Sequence, residues 1–413
     1  MSPTFIQSDI IRLIMKAPYS PQLLFPHDST ASSNEQLNTS PFHIFSFFSG
    51  CGFLDLGFET SGFAIDLVNE FSSSFMKAYQ YARKNMNIGK PIFGYSNIDV
   101  NAYLYERADE LRNNIQLIHN HHKYVGFIGG PPCPDFSVAG KQKGKDGKNG
   151  ILSQIYTQLI VNQQPDFFLF ENVKGLWKTA KHRAFYEELK EILNRAGYVM
   201  TERLCNALEF AVPQDRDRII LFGIKKNLIN SPSNVLDNFP WERYILYAFP
   251  QVKTLPWVER NPFEENSVLK RPDDIPLELT VQYWFDKNDV DNHFNAKECF
   301  IPRQGLRKMQ IVDEGDVSRK SHKRLHRWRY SPTVAYGNNE VHLHPYKPRR
   351  LTVAEALALQ SLPREFILPH EMTLTDKFKT IGNGVPYLMA KGIAQTIYYY
   401  LTEQIQNGTI HGI

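Results

Sequence analysis

The sequence predicts an α/β protein: a parallel sheet with helices on both faces, joined to a second, smaller and irregular region. Three observations predict it. Apolar, strand-like runs alternate with helical stretches from residue 42 to about residue 226. The first apolar run ends in a glycine turn, and the alternation stops after Lys226. Strands that alternate with helices form parallel sheets covered on both sides, and such sheets bind ligands at the carboxyl ends of their strands.

Taken in order, residues 28–41 are rich in Ser, Thr, Asn and Pro and read as a linker or arm, preceded at 4–16 by a short amphipathic stretch. Phe42-His-Ile-Phe-Ser-Phe-Phe48 is a buried-strand run that ends in Ser49-Gly-Cys-Gly52, after which a helix is expected. A second apolar run, Phe63–Val68, ends at Asn69-Glu70. The pattern then predicts a helix over Ser72–Met86, a strand over Tyr124–Ile128, a helix near Ser153–Asn162 and a strand over Asp166–Phe170. A charged helix, Lys181–Ala196, precedes strands near Tyr198–Ala207 and Arg218–Ile224. Residues 227–348 hold many Pro, Asn and aromatic residues, and helical patterning returns at Thr352–Gln360 and Val385–Leu401. The expected division is an arm at 1–41, a catalytic domain at 42–228 completed by 378–413, and a recognition domain at 229–377.

The 413 residues leave room for two or three domains, and the 42% hydrophobic content suits a globular protein. No apolar run reaches the roughly 18 residues that a membrane span needs. The first residues mix Asp9, Arg12 and Lys16 with apolar side chains and lack a signal-peptide pattern, so the cytoplasm is the expected location. A net charge of +4 does not by itself call for a nucleic-acid partner. The four cysteines, Cys51, Cys133, Cys205 and Cys299, are far apart. That spacing argues against a disulfide framework or a cysteine-rich zinc site, and leaves a single reactive thiolate as the point of interest.

Four places carry chemistry. The strand-Gly-x-Gly-helix turn at 50–52 lets a nucleoside approach the backbone, and Glu70, at the end of the next strand, is placed to take both ribose hydroxyls. The spacing Gly50-Cys-Gly52-Phe-Leu-Asp-Leu-Gly57 lacks the third glycine of the dinucleotide fingerprint. It favours a nucleoside without phosphates, such as S-adenosylmethionine, over a pyrophosphate. An ordinary glycine turn is an equal reading of this stretch alone. Second, Gly129-Gly-Pro-Pro-Cys133-Pro134 displays a cysteine in a proline-stiffened loop after a strand, which favours a nucleophile over a packing residue. The glycine-hinged segment that follows, with Ser137, Lys141, Lys143 and Lys145, is read as a lid over a phosphate backbone. Third, Glu171 in Phe170-Glu-Asn-Val173 puts a carboxyl at the end of a strand, where it either moves a proton or caps a turn. Fourth, residues 319–329 carry six formal positive charges in eleven residues, among them Arg319, Lys323, Arg324, Arg327 and Arg329, interleaved with His322, His326 and Trp328. That run suits phosphate contacts.

In this order the pieces resemble the cytosine-C5 DNA methyltransferase family. Phe48-Ser-Gly50-Cys-Gly52 is similar to its cofactor motif, Glu70 to its ribose-binding acid, and Gly130-Pro-Pro-Cys133 through Phe136-Ser137 to its catalytic motif. Glu171-Asn-Val173, Gln214-Asp-Arg216-Asp-Arg218, Arg350-Leu-Thr352 through Pro363, and Gly382-Asn-Gly-Val385 follow in family order, from residue 45 to about 395. Two places depart from the pattern. Pro134 stands where the family has Gln, and Asn97-Ile-Asp99 stands where it reads Asp-Ile, which leaves Asn97 and Asp99 as alternative adenine contacts.

The resemblance implies a Rossmann-like S-adenosylmethionine-dependent methyltransferase sheet with a smaller target-recognition domain. It implies attack by the Cys133 thiolate on C6 of a flipped-out cytosine, with Glu171 at N3 and the amino group, Arg218 at O2 and Arg216 supporting the same wall. Phe48, Gly50, Gly52, Glu70, Asn97 or Asp99, Pro131 and Asn383 would hold the cofactor, and no metal is needed. The implied partner is duplex DNA. A compact core with one variable region suggests a monomeric bacterial modification enzyme working beside a separate restriction endonuclease. Two alternatives are a transfer-RNA methyltransferase of the same fold and a non-catalytic DNA-binding protein. The broken glycine spacing disfavours a nicotinamide-dependent oxidoreductase.

Overall fold

A computed structural model describes residues 38–132, 148–230, 235–301, 306–319, 321–334, 336 and 340–412, with backbone alone at 148 and 149. The arm at 1–37, the Cys133 loop and its lysine-rich continuation lie outside the described residues. Strands β1 (Phe42–Phe47), β2 (Ala64–Asn69), β3 (Tyr95–Ser96), β4 (Tyr124–Gly129), β5 (Phe167–Val173), β6 (Tyr198–Asn206) and β8 (Asp217–Lys225) form one seven-stranded sheet in the order β3-β2-β1-β4-β5-β8-β6. The two-residue β7 (Gln214–Asp215) lies outside it and pairs with β9 (Ser331–Pro332).

The sheet is parallel from β3 to β5, as the alternation predicts, but β8 runs antiparallel to both β5 and β6. The cause is the connection. Between β6 and β8 lie a 3₁₀ turn, Ala207–Phe210, and β7, with no crossover helix. A parallel return needs a connection of a dozen residues or more. The turn is closed by a capping box in which Asn206 and Glu209 each satisfy the other's backbone.

Helices follow the strands: α1 (Phe53–Glu59), α2 (Ser73–Asn85), α3 (Ala108–His119), α4 (Lys148–Gln163), α5 (Gly175–Lys178), α6 (Ala180–Arg195), and, beyond the sheet, α7 (Val281–Lys287), α8 (Leu306–Gln310), α9 (Val353–Leu359), α10 (Leu374–Asn383) and α11 (Tyr387–Gln406). Alternate residues of β1 serve opposite faces. Phe42 and Ile44 pack with Leu54 and Phe58 of α1, Met76 of α2, and Ile393 and Ile397 of α11. Phe45 and Phe47 pack on the other face with Leu111 and Ile115 of α3, Tyr156 of α4 and Leu189 of α6.

The second region docks through a third apolar cluster. Phe53 and Leu56 of α1 and Phe75 and Ala82 of α2 meet Trp284 of α7, Leu357 of α9, and Phe366 and Phe378. Helix α9 begins at a second capping box, Thr352 with Glu355, and Arg349 pairs with Glu355 at 2.7 Å. Among the described residues no helix is long and apolar enough to cross a membrane.

Candidate active site

The register brings the carboxyl ends of four parallel strands together. Phe47 stands beside Asn69 and Gly129, and Gly129 beside Phe170. Because β8 is antiparallel, its first residues arrive at this same edge, with Arg218 opposite Val173. A parallel β8 would put Arg218 at the far end of the sheet.

The glycine turn follows β1. Phe48, Gly50 and Gly52 all have positive φ, at 55°, 57° and 78°. The Gly50 N–H donates to Glu70 Oε2 at 2.8 Å, and the Ser72 N–H donates to Glu70 Oε1 at 2.7 Å. Glu70 is thus fixed between the turn and the start of α2. Burial pushes its carboxyl above the usual range, against the pull of these two backbone donors. A Cβ on Gly52 would lie 2.3 Å from the Tyr79 ring, so the position admits no side chain. The Phe48 ring leans edge-on against Tyr156 at 5.9 Å.

Asn97 and Asp99 separate here. The Asn97 amide donates to the carbonyls of Glu70 (2.7 Å) and Phe71 (2.9 Å), which ties it to the Glu70 corner. Asp99 accepts from the backbone and side chain of Asn101 and caps its own 3₁₀ turn. Phe71 passes unnoticed in sequence, because an aromatic after a strand reads as core; here its ring is 73% exposed beside Glu70. Helix α10 comes alongside the turn, where the Thr380 hydroxyl donates to Cys51 Sγ at 3.0 Å. The exposed Asn383 ends that helix.

Glu171 is buried, and its Oε1 meets Arg218 Nε at 2.6 Å. A Cβ on Gly130 would come within 2.5 Å of Glu171 Oε2, so the start of the proline loop lies directly against this carboxylate. Pro131 is buried, with its carbonyl 3.5 Å from the Asn172 amide. Burial raises the Glu171 carboxyl above its ordinary range, while Arg218 and Arg216 pull it back. Arg216 is fully buried and donates to the backbone carbonyls of Val334 (3.1 Å) and Gly382 (2.9 Å). It joins β8, the second region and the end of α10, with its guanidinium closed off from solvent.

The cysteines sort by environment. Cys51 and Cys205 are buried, and burial pushes both thiols up to about 12. Neither is a usable nucleophile near neutral pH. Cys133, Ser137, Lys141, Lys143 and Lys145 lie outside the described residues.

The basic run is corrected in part. Arg324 is fully buried and donates to the carbonyls of Val312, His344, Lys347 and Met309. Arg327 is buried against Glu314 at 2.7 Å and Ser267. Both guanidiniums are consumed inside the fold and have no face left for phosphate. Arg319 is half exposed beside Asp316 at 3.7 Å, and Lys323 and Arg329 are half-buried.

Residues 42–399 match the profile of the C-5 cytosine-specific DNA methylase family. The chain belongs to this family. It is 55% identical over 370 residues to the Type II methyltransferase M.NmeDI of Neisseria meningitidis serogroup C, spanning 89% of this chain and 86% of that one. It is 28% identical over 380 residues to M.FnuDI of Fusobacterium nucleatum, spanning 86% and 94%. Among solved structures, a prophage-encoded E. coli protein described as a DNA modification methyltransferase superposes with a TM-score of 0.58 at 21% identity. It covers 87% of this chain and 99% of that one, a likeness of fold. The enzyme is therefore a DNA methylase of the cytosine-C5 class that acts on duplex DNA, and S-adenosylmethionine is the methyl donor the family implies.

Proposed function

We propose that this enzyme methylates one cytosine within a short duplex sequence and serves as the protective half of a restriction-modification system. The observation that carries the catalytic reading is the buried Glu171–Arg218 pair at the strand edge, directly against the loop that leads into Cys133. The two Type II relatives support the modification role.

The residues at the first two strand ends fit S-adenosylmethionine. The turn at 50–52 is bare of side-chain bulk on the Gly50 side, where an added Cβ would meet nothing closer than 3.9 Å. Glu70 offers carboxylate oxygens to the ribose hydroxyls, the exposed Phe71 ring offers a face to the adenine, and the Asn97 carbonyl accepts from the adenine amino group. We assign the adenine contact to Asn97 and leave Asp99 as a cap. Phe48, Pro131 and Asn383 would complete the rim. When bound, the sulfonium supplies an electrophilic methyl group.

A stacked cytosine cannot reach the pocket, so it is extruded at a cost of about a few kcal/mol. The Cys133 thiolate adds to C6. Glu171, with its carboxyl raised by burial, shares a proton with N3 as charge builds there, and the Arg218 guanidinium holds O2. Cytosine C5 becomes the nucleophile, takes the methyl group and then loses its proton to a base, and Cys133 departs. Arg216 holds the wall in register. Ser137, Lys141, Lys143 and Lys145 would close on the phosphate backbone, and Arg319, Lys323 and Arg329 would position the duplex from the second region. We assign cofactor binding and chemistry to 42–228 with 378–413, and target recognition to 229–377, in a cytoplasmic monomer whose partner nuclease acts separately.

Bisulfite sequencing of plasmid from cells expressing the enzyme, beside Cys133→Ser, tests this. The expected result is protection of one cytosine within one short motif, with the active enzyme alone. Protection absent from DNA but present in transfer RNA would overturn the substrate assignment.

A further inference from the structure

The turn at 50–52 is held from two sides. Glu70 grips the N–H of Gly50 on one side. On the other, Arg83 from the last turn of α2 donates to the carbonyl of Gly52 at 2.9 Å and to that of Cys51 at 3.4 Å. Arg83 is 1% exposed, its guanidinium lies 4.0 Å over the Tyr79 ring, and it pairs with Glu59 of α1 at 2.9 Å. The Tyr79 hydroxyl in turn donates to buried Asp55 at 2.9 Å, and Asp55 also accepts from Ser46 of β1 at 2.8 Å. A Cβ on Gly52 would sit 2.7 Å from the Arg83 guanidinium, so the glycine is needed as much for this buried cation as for its backbone conformation.

Backbone bonds fix part of this turn, which has three positive φ angles in five residues: Ser49 N–H donates to the Asn69 carbonyl, Gly52 N–H to that of Ser49, and Leu56 N–H to that of Gly52. The Gly50 N–H and the Cys51 carbonyl lie outside these bonds, and the side chains of Glu70 and Arg83 meet them. We propose that Arg83 is a positioning residue for the cofactor: by anchoring the carbonyls of Cys51 and Gly52 it turns the Gly50 peptide toward Glu70, and so sets the affinity for S-adenosylmethionine. This rests on the cofactor reading above. The planar guanidinium reaches Cys51, Gly52 and Glu59 at once, which a lysine ammonium on a single stem does not reproduce.

The test uses the full-length enzyme. Arg83→Lys is compared with wild type by calorimetric titration with S-adenosylmethionine, and by cofactor KM and kcat on DNA. Arg324→Lys, equally buried but remote from the turn, controls for damage to the fold. Arg83→Lys is expected to raise both Kd and KM about tenfold while kcat at saturating cofactor stays within about twofold. Arg324→Lys is expected to lower the unfolding temperature and leave Kd unchanged. Should Arg83→Lys not fold, Glu59→Gln, which frees one side of the guanidinium, is expected to raise Kd about threefold. An Arg83→Lys enzyme (or, in its place, Glu59→Gln) that melts earlier yet binds cofactor like wild type overturns the proposal alone. A wild-type protein that takes up no S-adenosylmethionine overturns the cofactor reading, and this one with it.

Discussion

Arg218 Nε stands 2.6 Å from Glu171 Oε1, across two strands that run in opposite directions, with both side chains buried. In the register, Glu171 faces Ile220 and Arg218 faces Val173, so the pair is a diagonal contact on one face of the sheet. Glu171→Gln keeps the shape and a hydrogen-bond acceptor for Arg218 but removes the exchangeable proton. Its kcat is expected to fall by about 10²–10⁴, with DNA affinity and unfolding temperature close to wild type. Single-turnover methylation beside a melting curve checks both halves; retained turnover would remove Glu171 from the chemistry.

The cysteines give a second prediction. Cys51 and Cys205 have thiols pushed up to about 12 by burial. Alkylation of the native enzyme at mildly alkaline pH should therefore mark Cys133 first and abolish activity in step, leaving Cys51 and Cys205 unmarked until denaturant is added. Cys205→Ala should methylate normally and Cys133→Ser not at all. Peptide mapping by mass spectrometry reads the order of labelling.

Glu59 gives a pH prediction. Burial lifts its carboxyl from 4.5 to about 6, although Arg83 beside it pulls the other way. A carboxyl whose pKa is raised by folding lends stability that is complete below its unfolded value and is lost as the pH rises through the folded one. Relative to Glu59→Gln, the wild type should therefore lose about 2 kcal/mol of stability between about pH 4 and about pH 7. Urea unfolding of both proteins across that window checks the difference, and a gain with rising pH would refute it.

The two kinds of arginine in the basic run should separate cleanly. Arg327→Ala strands Glu314 in the interior and is expected to cost about 3–5 kcal/mol of stability. Arg319→Ala should leave stability within about 0.5 kcal/mol, weaken DNA binding evenly across sequences and lower the salt slope by about one. Binding titrations at several salt concentrations, with melting curves alongside, distinguish them.

Much of the fold is legible because β1, β4 and β5 are buried on both faces and read as unbroken apolar runs. Following such a run to its end locates Gly50, Gly130 and Glu171 without any structure. The helix expected over Ser72–Met86 is α2, and the charged stretch Lys181–Ala196 is α6. What escapes is of two kinds. Elements such as β3, two residues long, or α3, whose buried Leu111, Ile115 and Ile118 are diluted by polar neighbours, give weak local signals. Burial of charge gives none. Arg324 and Arg327 look like two more members of a basic run, and Arg83 like an ordinary charge near a helix end. Their partners Met309, Glu314 and Glu59 are distant in the chain or carry no mark of it. The antiparallel β8 follows from a short connection, and what it brings, Arg218 beside Glu171 at the carboxyl ends of the parallel strands, is a matter of register.

Helix α11 covers the same face of the sheet as α1. Its Ile393 and Ile397 share a cluster with Phe42 and Ile44, and Gly57 lies so close to Ala390 that an added Cβ would stand 2.6 Å away. Strand β1 therefore waits for a helix made much later in the same chain. Until residue 406 is made, the growing polypeptide carries an open apolar face that invites chaperones and proteases. A message cut short before α11 is expected to yield material for degradation rather than a sluggish enzyme.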